Sequence, residues 1–220
     1  MIAQQLLSND IFPLKKTDSC ETALLLMQDW KIAELPVVDS GIIVGYVTLH
    51  QVADASAKAK VASLINSPLA YKVGEQTHIF ELIKIFAETG LSMLCVTDET
   101  GARLTGIISY YNLIKSYKFT ALAQPGAIIV LQMASRSYTL TEISRLVEMN
   151  DAKILHVYIH KSSADDDQID VSIKINTVQV KTILNTFDRY QYHITGVFQA
   201  DQSEEEVDSR FKILMHYLKL

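Results

Sequence analysis

The stretch that decides the fold occurs twice. Gly45–Gln51 reads GYVTLHQ, and Gly106–Asn112 reads GIISYYN. In both, a glycine precedes two apolar residues and a hydroxyl residue, and an uncharged amide follows three positions after the hydroxyl. The match extends upstream at an offset of 59, where LPVVD at 35–39 aligns with LCVTD at 94–98. The chain therefore contains two copies of a unit of roughly 55 residues.

Each unit has the pattern of a helix, two apolar strands around a turn, and a closing helix. Asp18 with Glu21 forms a capping-box pattern that predicts a helix start, and Thr77 takes the same place in the second unit. Gly90 is a helix stop signal. The run 49–65 predicts a single closing helix in the first unit. With a further short strand, each unit has three strands and two helices.

The two units predict two domains, over 1–60 and 61–118, whose sheets pack together because one sheet alone would leave a face exposed. After a connector at 119–126, the segment 127–200 has the order strand, helix, strand, strand, helix, strand, which is typical of a ferredoxin-like domain. The segment 201–220 predicts an amphipathic C-terminal helix. The predicted fold class is α+β.

Composition excludes several functions. The 220 residues are 49% apolar and carry a net charge of -5, without a Lys/Arg patch for nucleic acid. No apolar run reaches the roughly 20 residues of a membrane helix, and no signal-like start is present, so we predict a cytoplasmic protein. Cys20 and Cys95 lack a CxxC partner and predict structural thiols. There is no metal-ligand spacing, nucleophile and base arrangement or phosphate-binding loop, so we predict no metal and no enzyme.

Two tandem units that end in glycine, two apolar residues and Thr or Ser, with LPVVD in the first, resemble a pair of CBS domains. That family implies a regulatory module that binds adenine nucleotides. The C-terminal half resembles ACT domains in its order of elements. A CBS pair followed by an ACT-like domain is similar to the acetoin-utilisation AcuB-type proteins.

The resemblance assigns candidate ligand-binding residues. It implies that the hydroxyls of Thr48 and Ser109 meet phosphate, and that an aspartate three positions later accepts hydrogen bonds from the ribose hydroxyls. This chain has Gln51 and Asn112 at those positions. Since charge-assisted hydrogen bonds contribute more than neutral ones, the change weakens ribose binding by about tenfold or more per site.

Further candidates lie beside these motifs. Pro36 and Cys95 align with each other, at a strand position that often borders the ligand cleft in CBS pairs. Tyr110 directly follows the second hydroxyl and is a candidate for stacking on a base. The sequence favours a packing role for Cys95, and for Tyr110 or its neighbour Tyr111, because one of two residues at a helix start is expected to face inward.

These observations predict a non-catalytic regulatory protein that binds a small anionic ligand between its repeats and transmits the event to an unknown protein target. The ligand is expected to be AMP, ADP, ATP or another adenosyl compound, and the chain is expected to form a homodimer. An alternative is an interaction or dimerisation module that has lost nucleotide binding, with Gln51 and Asn112 as the trace of that loss. An unrecognised enzyme is a third interpretation.

Overall fold

The structure, a computed structural model, describes residues 1–65, 72–161 and 167–199. The chain divides into two compact units, Met1–Tyr117 and Lys118–Leu220. The helix predicted over 201–220 lies outside the described residues. Both units are mixed α+β, as predicted.

In the first unit, each repeat contributes three strands and two helices. The first repeat has β1 (Leu14–Lys15), α1 (Cys20–Trp30), β2 (Glu34–Asp39), β3 (Ile42–Thr48) and α2 (Leu49–Asp54). The second has β4 (Lys72–Gly74), α3 (Ile79–Thr89), β5 (Met93–Thr97), β6 (Leu104–Ser109) and α4 (Tyr110–Ser116). The two repeats identified in the sequence therefore have the same order of strands and helices in the structure.

The two sheets share one topology and one irregularity. Their orders are β1-β2-β3 and β4-β5-β6, and the middle strand is parallel to the first and antiparallel to the third. Gly45 pairs with Val37 and Gly106 with Val96, and each register shifts directly after that pair. At Gly106 a Cβ atom would lie 2.8 Å from Cδ2 of Leu7. In the second repeat the recurring glycine thus leaves room for the N-terminal segment.

The two sheets pack together, as the sequence predicts. One hydrophobic core contains Leu35 and Val37 of the first repeat together with Met93, Cys95 and Ile107 of the second. A second core includes Leu82, Leu94 and Ile108 of the second repeat together with Ala3 and Leu6 of the N-terminal segment. The repeats therefore share a core rather than forming separate globules.

The short segment that precedes each repeat in the chain lies against the other repeat. The short 3₁₀ turn Ala3–Leu6 lies against the second repeat, because Ala3 N donates to Thr77 O at 2.9 Å. Residues before the turn Val61–Leu64 lie against the first repeat, where Cys20 N donates to Ala59 O at 2.8 Å. This exchange was not predicted from the sequence.

Two local predictions were wrong. Ser19 and His78, not Asp18 and Thr77, are the N-caps of α1 and α3, and the Asp18 carboxylate accepts from Lys15 N at 2.8 Å instead. The predicted helix over 49–65 ends at Asp54. Residues beyond it leave the helix because the carbonyls of Ala57 and Ala59 accept hydrogen bonds from the first turn of α1.

The second unit has the ferredoxin-like order predicted from the sequence. Its elements are β7 (Ala127–Ala134), α5 (Leu140–Glu148), β8 (Ile154–Lys161), β9 (Gln168–Ile175), α6 (Lys181–Arg189) and β10 (His193–Gln199). The antiparallel sheet runs β10-β7-β9-β8. Alternate residues of β9 are buried in a core that includes Ile143 and Phe187 from the two helices.

Within the described part of the chain, no helix combines the length and the apolar character that crossing a bilayer requires.

Candidate ligand pocket between the repeats

A pocket of about 530 Å³ opens in the first unit, beside the second copy of the repeated motif. Three segments line it: the chain from Ser8 to Ile11, the end of α1 with the residues that follow it, and the start of α4. The first two belong to the N-terminal part and first repeat, and the third belongs to the second repeat. A molecule in this pocket would contact both repeats at once.

The hydroxyl and amide of the second motif lie in this pocket and bond to each other. Ser109, the N-cap of α4, is 3% exposed. Its Oγ accepts from Asn112 N at 3.1 Å and donates to Asn112 Oδ1. The recurring hydroxyl and amide therefore have a structural role, since the pair caps a helix.

The first motif forms the same cap. Thr48 Oγ1 accepts from Gln51 N at 3.4 Å, and Gln51 Oε1 accepts from Thr48 N at 3.0 Å and from Thr48 Oγ1 at 3.0 Å. Thr48 and Gln51 are not among the residues that line the pocket. The structure therefore brings one of the two predicted half-sites to this pocket.

Aromatic side chains supply surfaces in the pocket. Tyr110 is 42% and Tyr111 63% exposed, so the inward packing that the sequence favoured for one of them is wrong. Trp30, at the end of α1, also lines the pocket and contacts the ring of Phe12 edge-on at 6.4 Å between centroids. Exposed aromatic faces of this kind are suited to stacking on a planar ring.

The pocket carries balanced charge. Lys31 and Lys115 contribute two cations, and Asp10 and Asp29 two carboxylates. Among the described residues, none of these four side chains forms an ion pair. Lys115 Nζ instead lies 5.6 Å from the centroid of the Tyr111 ring. The pocket thus contains two carboxylates beside the uncharged amide of Asn112.

Pro36 and Cys95 occupy equivalent buried strand positions, as their alignment predicts, and neither lines this pocket. Cys95 is fully buried in the core shared by the repeats. Burial raises the pKa of the Cys95 thiol to about 12, because ionisation in an apolar surrounding is unfavourable.

We expect both thiols to be inert in the folded protein. Cys20 is 1% exposed and Cys95 0%, and the raised pKa leaves almost no Cys95 thiolate at pH 8. Labelling with a disulfide reagent at pH 8 should be roughly 100-fold or more slower than for the unfolded chain, in which both thiols react. Rapid labelling of Cys95 without denaturant would contradict this.

The sequence did not identify five of the charged and aromatic residues that line the pocket: Asp10, Asp29, Trp30, Lys31 and Lys115. Most of them lie far along the chain from the repeated motif. A signal was nevertheless present in the alignment of the repeats, because Lys31 falls where the second repeat has Gly90, and Lys115 falls where the first has Asp54.

No group of His, Cys, Asp and Glu side chains with metal-binding geometry occurs among the residues that the structure describes.

The fold and the pocket define a class: two α+β repeats with a shared core and a cleft lined by both. The CBS domain profile matches residues 3–58 and 61–118, together more than half of the chain. The chain therefore belongs to the CBS domain family.

Individual relatives are distant. An uncharacterized protein of Methanocaldococcus jannaschii is 23% identical over 155 residues, which are 70% of this chain and 58% of that protein. The chain thus spans less than two thirds of that relative's length. A CBS domain pair/ACT domain protein of Thermotoga maritima is 21% identical, with 53% of this chain and 95% of that one covered and a TM-score of 0.46. The protein CBSX2, solved in complex with AMP, is 22% identical, with 52% and 94% covered and a TM-score of 0.44.

Proposed function

We propose that this chain is a non-catalytic regulatory protein whose CBS pair binds an adenine nucleotide in the pocket at Ser109. The observation that carries the proposal is that one pocket combines aromatic faces and cations from both repeats with the carboxylates of Asp10 and Asp29. Its volume of about 530 Å³ lies within the range of roughly 300 to 1,000 Å³ that small-molecule sites occupy.

Each part of a nucleotide has a counterpart among the lining residues. Tyr110, Tyr111 and Trp30 offer faces for the base. The ammonium groups of Lys31 and Lys115 attract the phosphate, and a carboxylate has enough lone pairs to accept hydrogen bonds from both ribose hydroxyls. In this proposal Asp29 or Asp10 takes the place of the family aspartate that is absent at Asn112.

Regulation follows from the position of the pocket. A ligand that contacts the end of α1 and the start of α4 links the two repeats, and it favours whichever arrangement of them it binds more tightly. We further propose that the chain acts as a cytoplasmic homodimer, and that the ferredoxin-like unit is an ACT-type domain that passes this bias to a protein target. The combination corresponds to the AcuB-type architecture.

The alternative, an interaction module without a ligand, is favoured by one observation. The polar motif residues are engaged in helix caps in both repeats, so their presence does not require a ligand. No observation on the described residues specifically favours an enzyme.

Thermal unfolding separates these functions. With AMP, ADP, ATP or S-adenosylmethionine at about 100 times its dissociation constant, a specific site stabilises the folded chain by about 2.7 kcal/mol. We expect the midpoint of unfolding to rise by several degrees with AMP. Guanosine monophosphate is the control for nonspecific effects of the phosphate. No shift with any adenosyl compound at millimolar concentration would contradict nucleotide binding and favour the interaction module.

A further inference from the structure

The internal repeat allows the pocket residues of α1 and α4 to be compared with their counterparts in the other repeat. α1 aligns with α3 at an offset of 59, and the start of α2 aligns with the start of α4 at 61. The caps confirm this alignment, because Thr48 and Ser109 cap equivalent helices, and Lys31 and Gly90 are equivalent C-caps. The comparison shows which features belong to one cleft alone.

At these positions the Ser109 side has three Trp or Tyr rings and two lysines, and the counterparts in the other repeat include no Trp, Tyr or Lys. The aromatic residues Trp30, Tyr110 and Tyr111 correspond to Thr89, Leu49 and His50. The cations Lys31 and Lys115 correspond to Gly90 and Asp54. The anion Asp29 corresponds to another anion, Glu88. At the compared positions the Thr48 side therefore carries Asp54 and Glu88, and neither lysine has a cationic counterpart.

Those acidic groups would repel a phosphate. Asp54 lies 3.1 Å from Nδ1 of His50, within α2, and that pair involves a histidine rather than a permanent cation. The lysines at the Ser109 pocket form no ion pair with a described residue. They are therefore available to an anionic ligand in the Ser109 pocket.

Lys31 adds a second, independent observation. It ends α1 in the left-handed conformation, with φ 55° and ψ 46°, where its counterpart Gly90 has φ 65°. This conformation is unfavourable for a residue with a Cβ atom and favourable for glycine. The first repeat thus retains a lysine at a helix end that a glycine would stabilise, and the lysine lines the pocket. Positive φ also occurs at Ser40, Asp151 and Gln191, which do not line the pocket, so it is the combination of this conformation with a place in the pocket that points to binding by Lys31.

We propose, on the basis of the nucleotide-binding function above, that the CBS pair binds one nucleoside monophosphate per chain, at the Ser109 pocket, with Lys31 and Lys115 as its phosphate-binding residues. Because Asp10 and Asp29 in the same pocket offset the charge of Lys31 and Lys115, the pocket favours a ligand with few negative charges, and one phosphate group carries about -1.5 to -2 at pH 7. A triphosphate adds negative charge near Asp10 and Asp29 without adding a cation. AMP therefore binds more tightly than magnesium-free ATP.

Calorimetric titration of AMP into the full chain tests this proposal. We expect one AMP per chain, and a dissociation constant that rises roughly tenfold or more in Lys31→Gly and in Lys115→Met. Lys31→Gly should also raise the midpoint of thermal unfolding in the absence of ligand, because glycine adopts the left-handed backbone conformation at this position without the steric cost of a Cβ atom. Lys84→Met, which removes an exposed lysine of α3 outside the pocket, is the matched control and should leave the AMP affinity unchanged.

The outcomes distinguish this inference from the proposed function. Two AMP molecules per chain, tighter binding of magnesium-free ATP, or unchanged affinity in both lysine variants would overturn the single phosphate site while nucleotide binding stands. A lower unfolding midpoint for Lys31→Gly would also overturn it, since the lysine would then serve the fold. If no nucleotide binds the wild-type chain, both proposals fail.

Discussion

Replacing Glu34 with alanine is expected to destabilise the CBS pair by about 3 to 5 kcal/mol. Glu34 begins β2, is 6% exposed, and joins the two repeats. Its Oε1 accepts hydrogen bonds from Ser92 N at 2.6 Å, Ser92 Oγ at 2.9 Å and Met93 N at 3.2 Å. Alanine would leave these donors without their acceptor in a region that water does not reach freely, and each unsatisfied donor costs about 1 to 3 kcal/mol.

Glu34→Gln is the matched variant. The amide keeps an acceptor oxygen of similar size and loses the charge, so we expect a smaller loss of about 1 to 2 kcal/mol. Urea unfolding followed by circular dichroism measures both values. Since domains are typically stable by about 5 to 15 kcal/mol, the alanine variant should show a clearly lower midpoint. A loss below about 1 kcal/mol for Glu34→Ala would contradict the role of this carboxylate in joining the repeats.

Gly126→Ala is expected to destabilise the ferredoxin-like unit by about 3 kcal/mol or more. Gly126 precedes β7 at φ +152°, and a Cβ atom there would lie 1.9 Å from the carbonyl oxygen of Ile175. Ile175 pairs with Ala127, the first residue of β7. The clash is with backbone rather than with a flexible side chain, so relief requires the start of β7 to move away from β9.

Gly101→Ala isolates the conformational part of that cost. Gly101 has φ +71° with no heavy atom within 4 Å of the added Cβ, so only the unfavourable backbone conformation remains, at about 1 kcal/mol. Chemical unfolding of both variants gives the comparison. Equal losses in the two would show that the contact with Ile175 carries no cost of its own.

Much of the fold could be predicted from the sequence, because the internal repeat and the spacing of apolar residues are patterns in the sequence itself. The alignment at 59 and 61 residues gave the strand pairs around Gly45 and Gly106, and the alternation of apolar residues gave the order of the second unit. The helix starts were misplaced by one residue because Asp18 and Ser19 both have capping side chains, and tertiary contacts decide between them. The exchange of N-terminal segments depends on long-range hydrogen bonds, which leave no local pattern.

Part of the candidate site could also be predicted from the sequence, because some of its residues belong to the repeated motif. Ser109, Asn112 and Tyr110 belong to the repeated motif and were predicted as candidates. Asp10, Asp29 and Lys31 reach the pocket only through folding of the first repeat against the second, so no spacing in the sequence groups them. The capping role of Thr48 with Gln51 was also missed, although Thr followed by Gln three positions later is itself a capping-box pattern.

In the proposed function, an adenine nucleotide binds between the end of α1 and the start of α4. Trp30 is the one tryptophan of the chain and lines that pocket, so its fluorescence reports on the site directly. Titration with AMP, excited at the red edge of tryptophan absorption where adenine does not absorb, should change the Trp30 emission saturably, with the midpoint found by calorimetry. Binding of AMP by calorimetry with no change in Trp30 emission at saturation would place the nucleotide elsewhere and contradict the account.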